Sequence, residues 1–399
     1  MRHKNYVIMR ILIFGIFFLS SLLFLISCST DNDNLEDIQE EEEEEQPVDP
    51  GDEEEDEVDD WAEVAEDLQE ETYNVYLSSN GTFRQDNEGN ENFNYWWNAH
   101  MLDVLIDGYQ RTGDESYLPK MKSLLEGIKI KNGNKYENAF IDDMEWLGIA
   151  CLRAYKLTND EQYKEVADLL WEEVKKGWSD VHGGGIAWKT DTPNSKNACS
   201  NGPAAIFALY LYEIDQDQED LEWAKKIYQW LNDTLVDPES GLVWDNIDYQ
   251  DGEAVINRDW IFTYNVGTYI GAANLLHQAT GEEMYLEDAI KSASSVVAPG
   301  QITTGGVLKN EGQGDGGLFK GILVRYFTQL TLNPNTPDDK QEEFKEFIQF
   351  NAETLYHNGL TTAGLAGPNW NDEPSGRVDL STQLSGVMLM EAKALLDRQ

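Results

Sequence analysis

Strongly apolar helical segments alternate with amphipathic ones along residues 61–399. The apolar segments start near six positions: Tyr95, Asp142, Asn201, Tyr264, Leu318 and Thr382. The amphipathic segments lie near residues 61–77, 115–130, 161–176, 219–234, 282–297 and 338–356. Similar polar turns join the two kinds of segment, with Thr followed by acidic residues, a pattern typical of a helix N-terminus: Thr112–Tyr117, Thr158–Tyr163 and Thr280–Tyr285. A repeat of this length predicts stacked helical hairpins.

The repeat predicts an all-α fold with two concentric layers. Apolar helices flanked by amphipathic ones indicate an inner ring of six helices covered by an outer ring of six, which together close into an (α/α)6 barrel over residues 61–399. The alternative is an open solenoid, whose repeats are shorter and more regular. Long connections rich in Gly and Trp precede the inner helices: 178–200, 237–262, 298–317 and 357–380. Because they all enter at the same end of the inner helices, we expect these loops to form a cleft on one face of the barrel.

Residues 1–27 have the pattern of an export signal, which is set apart from the folded domain. Arg2, Lys4 and Arg10 form a basic start, and the apolar run that follows ends at Ser27 and Cys28, which resembles a bacterial lipobox. The alternative is an N-terminal membrane span, for which the apolar run is short. We expect a lipid on Cys28 that anchors the protein to the outer membrane, on the cell surface or the periplasmic side. Fatty-acid labelling of Cys28 tests this expectation.

Residues 28–60 are strongly acidic, with 19 Asp or Glu and no Lys or Arg between positions 31 and 60. Such a block repels itself, so we interpret it as a disordered tether. Outside this block and the export signal, 56 acidic residues remain against 26 Lys and Arg. A surface of this charge repels nucleic acid and anionic glycans. We expect a neutral partner and a monomeric protein.

The sequence lacks the motifs that hold cofactors. The five His residues show no metal-ligand spacing, and the chain has neither a Gly-rich phosphate loop nor a G-x-S-x-G motif. Cys151 and Cys199 lie in apolar helical segments, where buried free thiols are expected. We therefore predict no metal and no cofactor.

Asp142 and Asp143 stand side by side where the second apolar segment begins. Retaining glycoside hydrolysis uses two carboxylates roughly 5 Å apart, one as nucleophile and one as acid/base. Mutual repulsion raises the pKa of one acid of such a pair and leaves the other ionised. The alternative is structural, since acids in a first helical turn oppose the helix dipole. The spacing does not reveal which acid has which role.

Several residues that are able to bind a sugar lie together at the predicted cleft. Aromatic rings stack on the apolar faces of sugars, whereas amide, carboxylate and ammonium groups bind hydroxyls. Our candidates are Trp96, Trp97, Trp188, Asn201, Gly202, Asp245, Tyr264, Asn265, Lys320 and Trp370, and we also expect Asp315 beside the acid pair. The alternative for each tryptophan is core packing, which we expect for Trp171, Trp223 and Trp230 of the outer helices.

Several motifs in residues 93–330 together resemble glycoside hydrolase family 76, the endo-α-1,6-mannanases. They are the segments 95–100, 140–143, 183–188, 196–203, 264–267 and 319–321. The resemblance implies an (α/α)6 barrel, hydrolysis of α-1,6-mannan and a retaining mechanism without a metal. It also implies Asp142 as the nucleophile and Asp143 as the acid/base. One departure lies at Glu145 and Leu147, where members of the family often carry more apolar or aromatic residues. This departure should affect packing more than chemistry.

Two other functions remain open on the sequence. One is another (α/α)6 carbohydrate-active enzyme, such as an exo-glycosidase or an unsaturated-uronide hydrolase, although a uronide favours a more basic pocket than this chain offers. The other is a surface lipoprotein that binds glycans without cleaving them. The acid pair favours an enzyme, because a binding protein does not need two adjacent carboxylates at the start of a helix.

Overall fold

The computed structural model describes residues 60–398. Within them, twelve α-helices follow one another along the chain: α1 (Trp61–Tyr76), α2 (Tyr95–Thr112), α3 (Tyr117–Lys131), α4 (Ile141–Thr158), α5 (Glu161–Lys175), α6 (Ala198–Asp215), α7 (Gln218–Leu235), α8 (Thr263–Thr280), α9 (Glu283–Val297), α10 (Gly316–Thr331), α11 (Asp338–Thr354) and α12 (Leu380–Leu396). The predicted export signal, the lipidation site at Cys28 and the acidic tether up to residue 59 lie outside the described residues. Asp60 caps α1, because its side chain accepts hydrogen bonds from the backbone N–H groups of Ala62 and Glu63.

The even-numbered helices form a closed inner ring. Each packs against the next, from α2 through α4, α6, α8 and α10 to α12, and α12 returns to α2. The odd-numbered helices lie outside, and α1 covers α12, so the two ends of the domain close the barrel. The predicted (α/α)6 barrel is confirmed, and the open solenoid is wrong. Among the described residues, no helix is both apolar enough and long enough to cross a bilayer.

The two rings differ in burial as the sequence predicts. Helix α6 is buried on nearly every side, because it lies between the barrel axis and the outer ring. Helix α5 buries only one stripe, which includes Val166, Leu170 and Val174, at the spacing of one helical face. Of the tryptophans expected in the core, Trp171 and Trp230 are buried, whereas Trp223 is partly exposed.

The repeated Thr turns work differently from the prediction. Thr112 and Thr158 are the last residues of inner helices and do not cap the following outer helices. The hydroxyl of Thr158 donates to the carbonyl of Ala154 at 2.8 Å and accepts from the N–H of Asp160 at 3.3 Å. Asp160 then caps α5 by accepting from the N–H of Gln162. The motif thus ends one helix and starts the next within three residues, which keeps these turns short.

The long connections that precede the inner helices carry short strands. Strands β1 (Lys196–Asn197), β2 (Asn246–Gln250) and β3 (Glu253–Ile256) form an antiparallel sheet in that order. Lys196 pairs with Ile247, which pairs with Ile256. Strands β4 (Thr303–Thr304) and β5 (Val307–Leu308) form a separate hairpin. These connections place hairpins and loops at the N-terminal ends of the inner helices, as predicted.

A largely buried group of four charged residues, the ion cluster, lies farther along the barrel interior. Arg153 of α4 pairs with Asp103 and, at 2.7 Å, with Asp107, both on α2. Arg325 of α10 pairs with the same two acids at 2.9 and 2.6 Å. Burial opposes ionisation, but the two guanidinium groups hold the pKa of Asp107 below its usual range. The ion cluster therefore ties three inner helices together.

Beyond the ion cluster, the C-terminal ends of the inner helices surround a cavity of about 520 Å³. Asp107, Arg153 and Arg325 contribute to its wall, so the ion cluster lies between this cavity and the loop-rich face. Cationic side chains at the C-terminal ends of helices offset the helix dipoles. We therefore interpret the charges at this mouth as structural, and the candidate chemistry lies at the other end of the barrel.

Candidate active site

The acid pair lies at the first turn of α4, where the loop-rich cleft meets the inner ring. Phe140 precedes the helix in an extended conformation, and the next residues bring both carboxyl groups to the helix mouth. The N–H of Asp143 donates to Oδ1 of Asp142 at 3.1 Å, and Nδ2 of Asn138 donates to Oδ2 of Asp143 at 2.9 Å. Asp142 is partly exposed, whereas Asp143 is 9% exposed.

A short backbone pairing brings Trp188 to Asp142. Phe140 pairs with Lys189 in an isolated β-bridge, and the N–H of Ile141 donates to the carbonyl of Trp188 at 2.9 Å. The indole Nε1 of Trp188 donates to Oδ2 of Asp142 at 3.2 Å. Trp188 was predicted to bind substrate, and the structure places it in direct contact with one of the two acids.

Burial raises the pKa of both acids. It raises the pKa of Asp142 to about 7, although hydrogen bonds from Cys199 and Trp188 oppose the rise. Burial, and then the nearby charges of Asp142 and Asp315, raise the pKa of Asp143 well above its usual range. Burial and mutual repulsion therefore favour a state in which the pair shares one proton near neutral pH.

We predict that replacing Trp188 by phenylalanine shifts the acidic limb of the pH–rate profile to higher pH, by about half a pH unit. The indole donor stabilises the ionised form of Asp142, so its loss raises the pKa of that carboxyl. Activity needs the Asp142 carboxylate and is lost as the pH falls through this pKa. The profile of kcat/KM measures the limb. Trp223→Phe on an outer helix is the control, and an unchanged limb in Trp188→Phe contradicts the assignment.

Asp315 lies on the other side of the pair, just before α10. Its Oδ1 accepts hydrogen bonds from the indole Nε1 atoms of Trp96 and Trp97, both at 3.0 Å. Its charge contributes to the raised pKa of Asp143. Trp96 is partly exposed and was predicted to bind substrate, and Asp315 was expected beside the acid pair. Only the closed ring brings α2 and α10 together around it.

Three further side chains lie around the side chain of Asp142: Cys199, Tyr264 and Asp245. Cys199 is a buried free thiol, as predicted, and it shares hydrogen bonds with Asp142 and Tyr264. Burial raises the pKa of Asp245 to about 6, opposed by a hydrogen bond from Asn265 at 3.0 Å. Tyr264 and Asp245 were predicted site residues. The contact of Cys199 with Asp142 was missed, because a cysteine in an apolar helix carries no signal for it.

Phenylalanine rings extend the aromatic lining beyond the predicted residues. The ring of Phe319 stacks on Tyr264 with centroids 3.8 Å apart, and it lies 5.4 Å from Phe262 and 6.3 Å from Trp96. All four rings are partly exposed. Phe262 and Phe319 were absent from the prediction because apolar residues at the start of an apolar helix look like core.

Seven of the ten predicted substrate-binding residues are buried in this structure, so their contact with a substrate stays a prediction. They are Trp97, Asn201, Gly202, Asp245, Asn265, Lys320 and Trp370. Asn201 holds the loop that carries Trp188, since it bonds both the N–H and the carbonyl of Ile186, at 2.8 and 3.0 Å. Gly202 allows α6 to approach α8, because a Cβ atom there would lie 2.3 Å from Thr268 Oγ1.

Lys320 and Trp370 form a buried pair behind the cleft. The ammonium group of Lys320 lies 3.9 Å from the ring centre of Trp370 and donates to the carbonyl of Pro368 at 2.7 Å. Burial lowers the pKa of Lys320 to about 7. Trp370 is 0% exposed, so it has no surface to offer a sugar. Both residues anchor the connection before α12 and do not line the cleft.

Glu145 is fully buried one turn below Asp142, and neither carboxyl oxygen has a hydrogen-bond partner among the described residues. Burial, and then the charge of Asp142, raise the pKa of Glu145 well above its usual range. A raised carboxyl pKa favours the folded state at low pH and costs stability as the pH rises above the pKa of the unfolded chain. Glu145 therefore stays protonated and packs as a neutral side chain.

Comparisons with known proteins agree with this geometry. The model of glycosyl hydrolase family 76 matches residues 59–399. An α-1,6-mannanase of Salegentibacter sp. HEL1_6 is 90% identical over 84% of this chain and all of that one, with a TM-score of 0.84.

Two more distant relatives point the same way. A solved protein of Listeria innocua is 34% identical, covers 85% of this chain and 98% of that one, and has a TM-score of 0.79. The mannan endo-1,6-α-mannosidase of Candida glabrata is 24% identical over 76% of this chain and 73% of its own length. The chain belongs to glycosyl hydrolase family 76.

Proposed function

We propose that this glycoside hydrolase cleaves the α-1,6-mannan backbone at internal bonds and retains the anomeric configuration. The observation that carries the proposal is the pair of adjacent carboxyl groups at the mouth of α4, where the indole of Trp188 donates to Asp142 at 3.2 Å and burial raises the pKa of both acids. A carboxylate beside a protonated carboxyl is what a retaining mechanism requires before its first step.

The first step forms a covalent intermediate. The Asp142 carboxylate attacks the anomeric carbon, and the bond from that carbon to the leaving oxygen breaks. Asp143 gives its proton to the leaving oxygen and becomes a carboxylate. The product of this step is a glycosyl ester on Asp142, and the shortened mannan leaves with a free hydroxyl group.

The second step restores the enzyme. The Asp143 carboxylate takes a proton from water, and the water oxygen attacks the anomeric carbon of the ester. The ester bond breaks and returns Asp142 to its ionised form. Two displacements at one carbon restore the starting configuration, so the first product is the α-anomer.

A relative of stated activity supports α-1,6-mannan as the substrate. The 90% identical Salegentibacter α-1,6-mannanase has been solved in complex with α-1,6-mannotriose as an inactive variant in which two consecutive aspartates are asparagine. Asp142–Asp143 is such a pair. The excess of acidic residues also suits a neutral mannan better than an anionic glycan.

The test is digestion of debranched, linear α-1,6-mannan. The length of the products is measured during the reaction, and NMR identifies the anomer of each newly formed reducing end. We expect a ladder of oligosaccharides early in the reaction and the α-anomer before mutarotation. The β-anomer first would show inversion, and release of mannose alone would show exo action. Binding of the polymer without new reducing ends would identify a glycan-binding protein instead of an enzyme.

A further inference from the structure

Trp260 differs from every other tryptophan of the chain. All twelve tryptophans lie within the described residues, and Trp260 is the one that is exposed, with 53% of its surface accessible. Large aromatic side chains bury most of their surface in folded domains. An exposed indole beside a cleft therefore indicates a binding surface.

The backbone around Trp260 is held in place at three of the four residues 260–263. The N–H of Asp245 donates to the carbonyl of Trp260 at 2.9 Å, and Lys309 donates to the carbonyl of Ile261. Glu311 accepts from the N–H of Thr263 at 3.0 Å. The indole is thus exposed on a fixed support, which lowers the entropy cost of binding a ligand.

A continuous line of rings connects Trp260 with the acid pair. Trp260 lies 6.4 Å from Phe262, Phe262 lies 5.4 Å from Phe319, and Phe319 lies 6.3 Å from Trp96, centre to centre. Trp96 donates to Asp315, whose charge acts on Asp143. We call these four rings the aromatic track. It begins beside the catalytic acids and ends at the exposed indole.

We propose that Trp260 forms a distal subsite that stacks on a mannose residue several units away from the bond that is cut. This inference rests on the proposed mannanase function. The track is a series of partly exposed rings, which suits the apolar faces of neutral hexose rings, and Trp260 is its outermost and most exposed member. A long chain reaches this platform, whereas a short oligosaccharide bound across Asp142 and Asp143 does not.

The experiment compares Trp260→Ala with the unmodified protein on linear α-1,6-mannan and on α-1,6-mannotetraose. We expect kcat/KM on the polymer to fall about fivefold to tenfold, as one stacking contact is lost. The loss should lie in KM, with kcat unchanged, and the values on the tetraose should stay the same. Trp260→Phe keeps a ring and should recover most of the loss.

Met284→Ala is the matched control. Met284 is 49% exposed, which is close to the exposure of Trp260, but it lies on outer helix α9. It should behave as the unmodified protein on both substrates. Equal losses on polymer and tetraose, or no loss on either, would overturn the distal subsite. An unmodified protein that cleaves neither substrate would instead overturn the proposed function, so the two failures can be told apart.

Discussion

Asp142→Asn should lower kcat/KM on linear α-1,6-mannan by about a thousandfold or more, because an amide cannot form the glycosyl ester. Asp143→Asn should lower it by about a hundredfold to ten-thousandfold, because the leaving oxygen then departs without a proton. The measurement is the rate at which reducing ends appear. Near-normal rates in both variants would remove the catalytic assignment.

The choice of leaving group separates the two roles. An aryl α-mannoside with an acidic phenol leaves without help, so Asp143→Asn should form the glycosyl-enzyme from it at close to the normal rate. Asp142→Asn should stay inactive on the same compound, because its nucleophile is missing. The opposite pattern would exchange the roles of the two residues.

Asp338 and Asp339 supply a matched control for the acid pair. They are also adjacent aspartates in the first turn of a helix, α11, but that helix belongs to the outer ring and both side chains are exposed. Asn at either position should leave turnover unchanged. A comparable loss there would indicate that the effect at α4 arises from helix stability and not from chemistry.

Arg325→Ala should lower the free energy of unfolding by about 3–5 kcal/mol, the usual cost of removing one partner from a buried ion pair. Arg325 is the second partner of both Asp103 and Asp107, so its removal leaves buried negative charge with Arg153 alone. Urea unfolding followed by circular dichroism measures the loss.

Lys225→Ala is the comparison for Arg325. Lys225 pairs with Glu282 at 2.9 Å, but both side chains are well exposed, and such surface pairs contribute about 0–1 kcal/mol. If Arg325→Ala and Lys225→Ala cost the same, the ion cluster does not hold the inner ring together.

The helices and their arrangement in two rings were predictable from the chain. Local periodicity distinguishes helices that are buried all round from helices with one apolar stripe, and the predicted starts near Tyr95 and Asp142 fall within one residue of α2 and α4. The acid pair was also predictable, because Asp142 and Asp143 are neighbours in sequence. The position of the long connections placed that pair at the cleft.

The lining of the cleft was only partly predictable. Asn201 and Lys320 look like ligands for a sugar in sequence, but the fold buries them as supports for loops. An inner helix that is apolar on all sides carries no periodic signal for which first-turn residue faces the cleft. Trp260 was missed because nothing local in the sequence separates an exposed tryptophan from a buried one.

Neighbouring residues thus determined the helices, their turns and the adjacency of the two acids, because these depend on short-range geometry. The tertiary structure decided how strongly the pKa values of the two acids are shifted, since that depends on burial and on Cys199, Trp188 and Asp315, which come from other elements. The charge of Asp315 acts on the acid pair only because ring closure sets the start of α10 across the barrel mouth from the start of α4. The chemistry at α4 therefore depends on long-range packing around Asp142 and Asp143, which are already neighbours in the sequence.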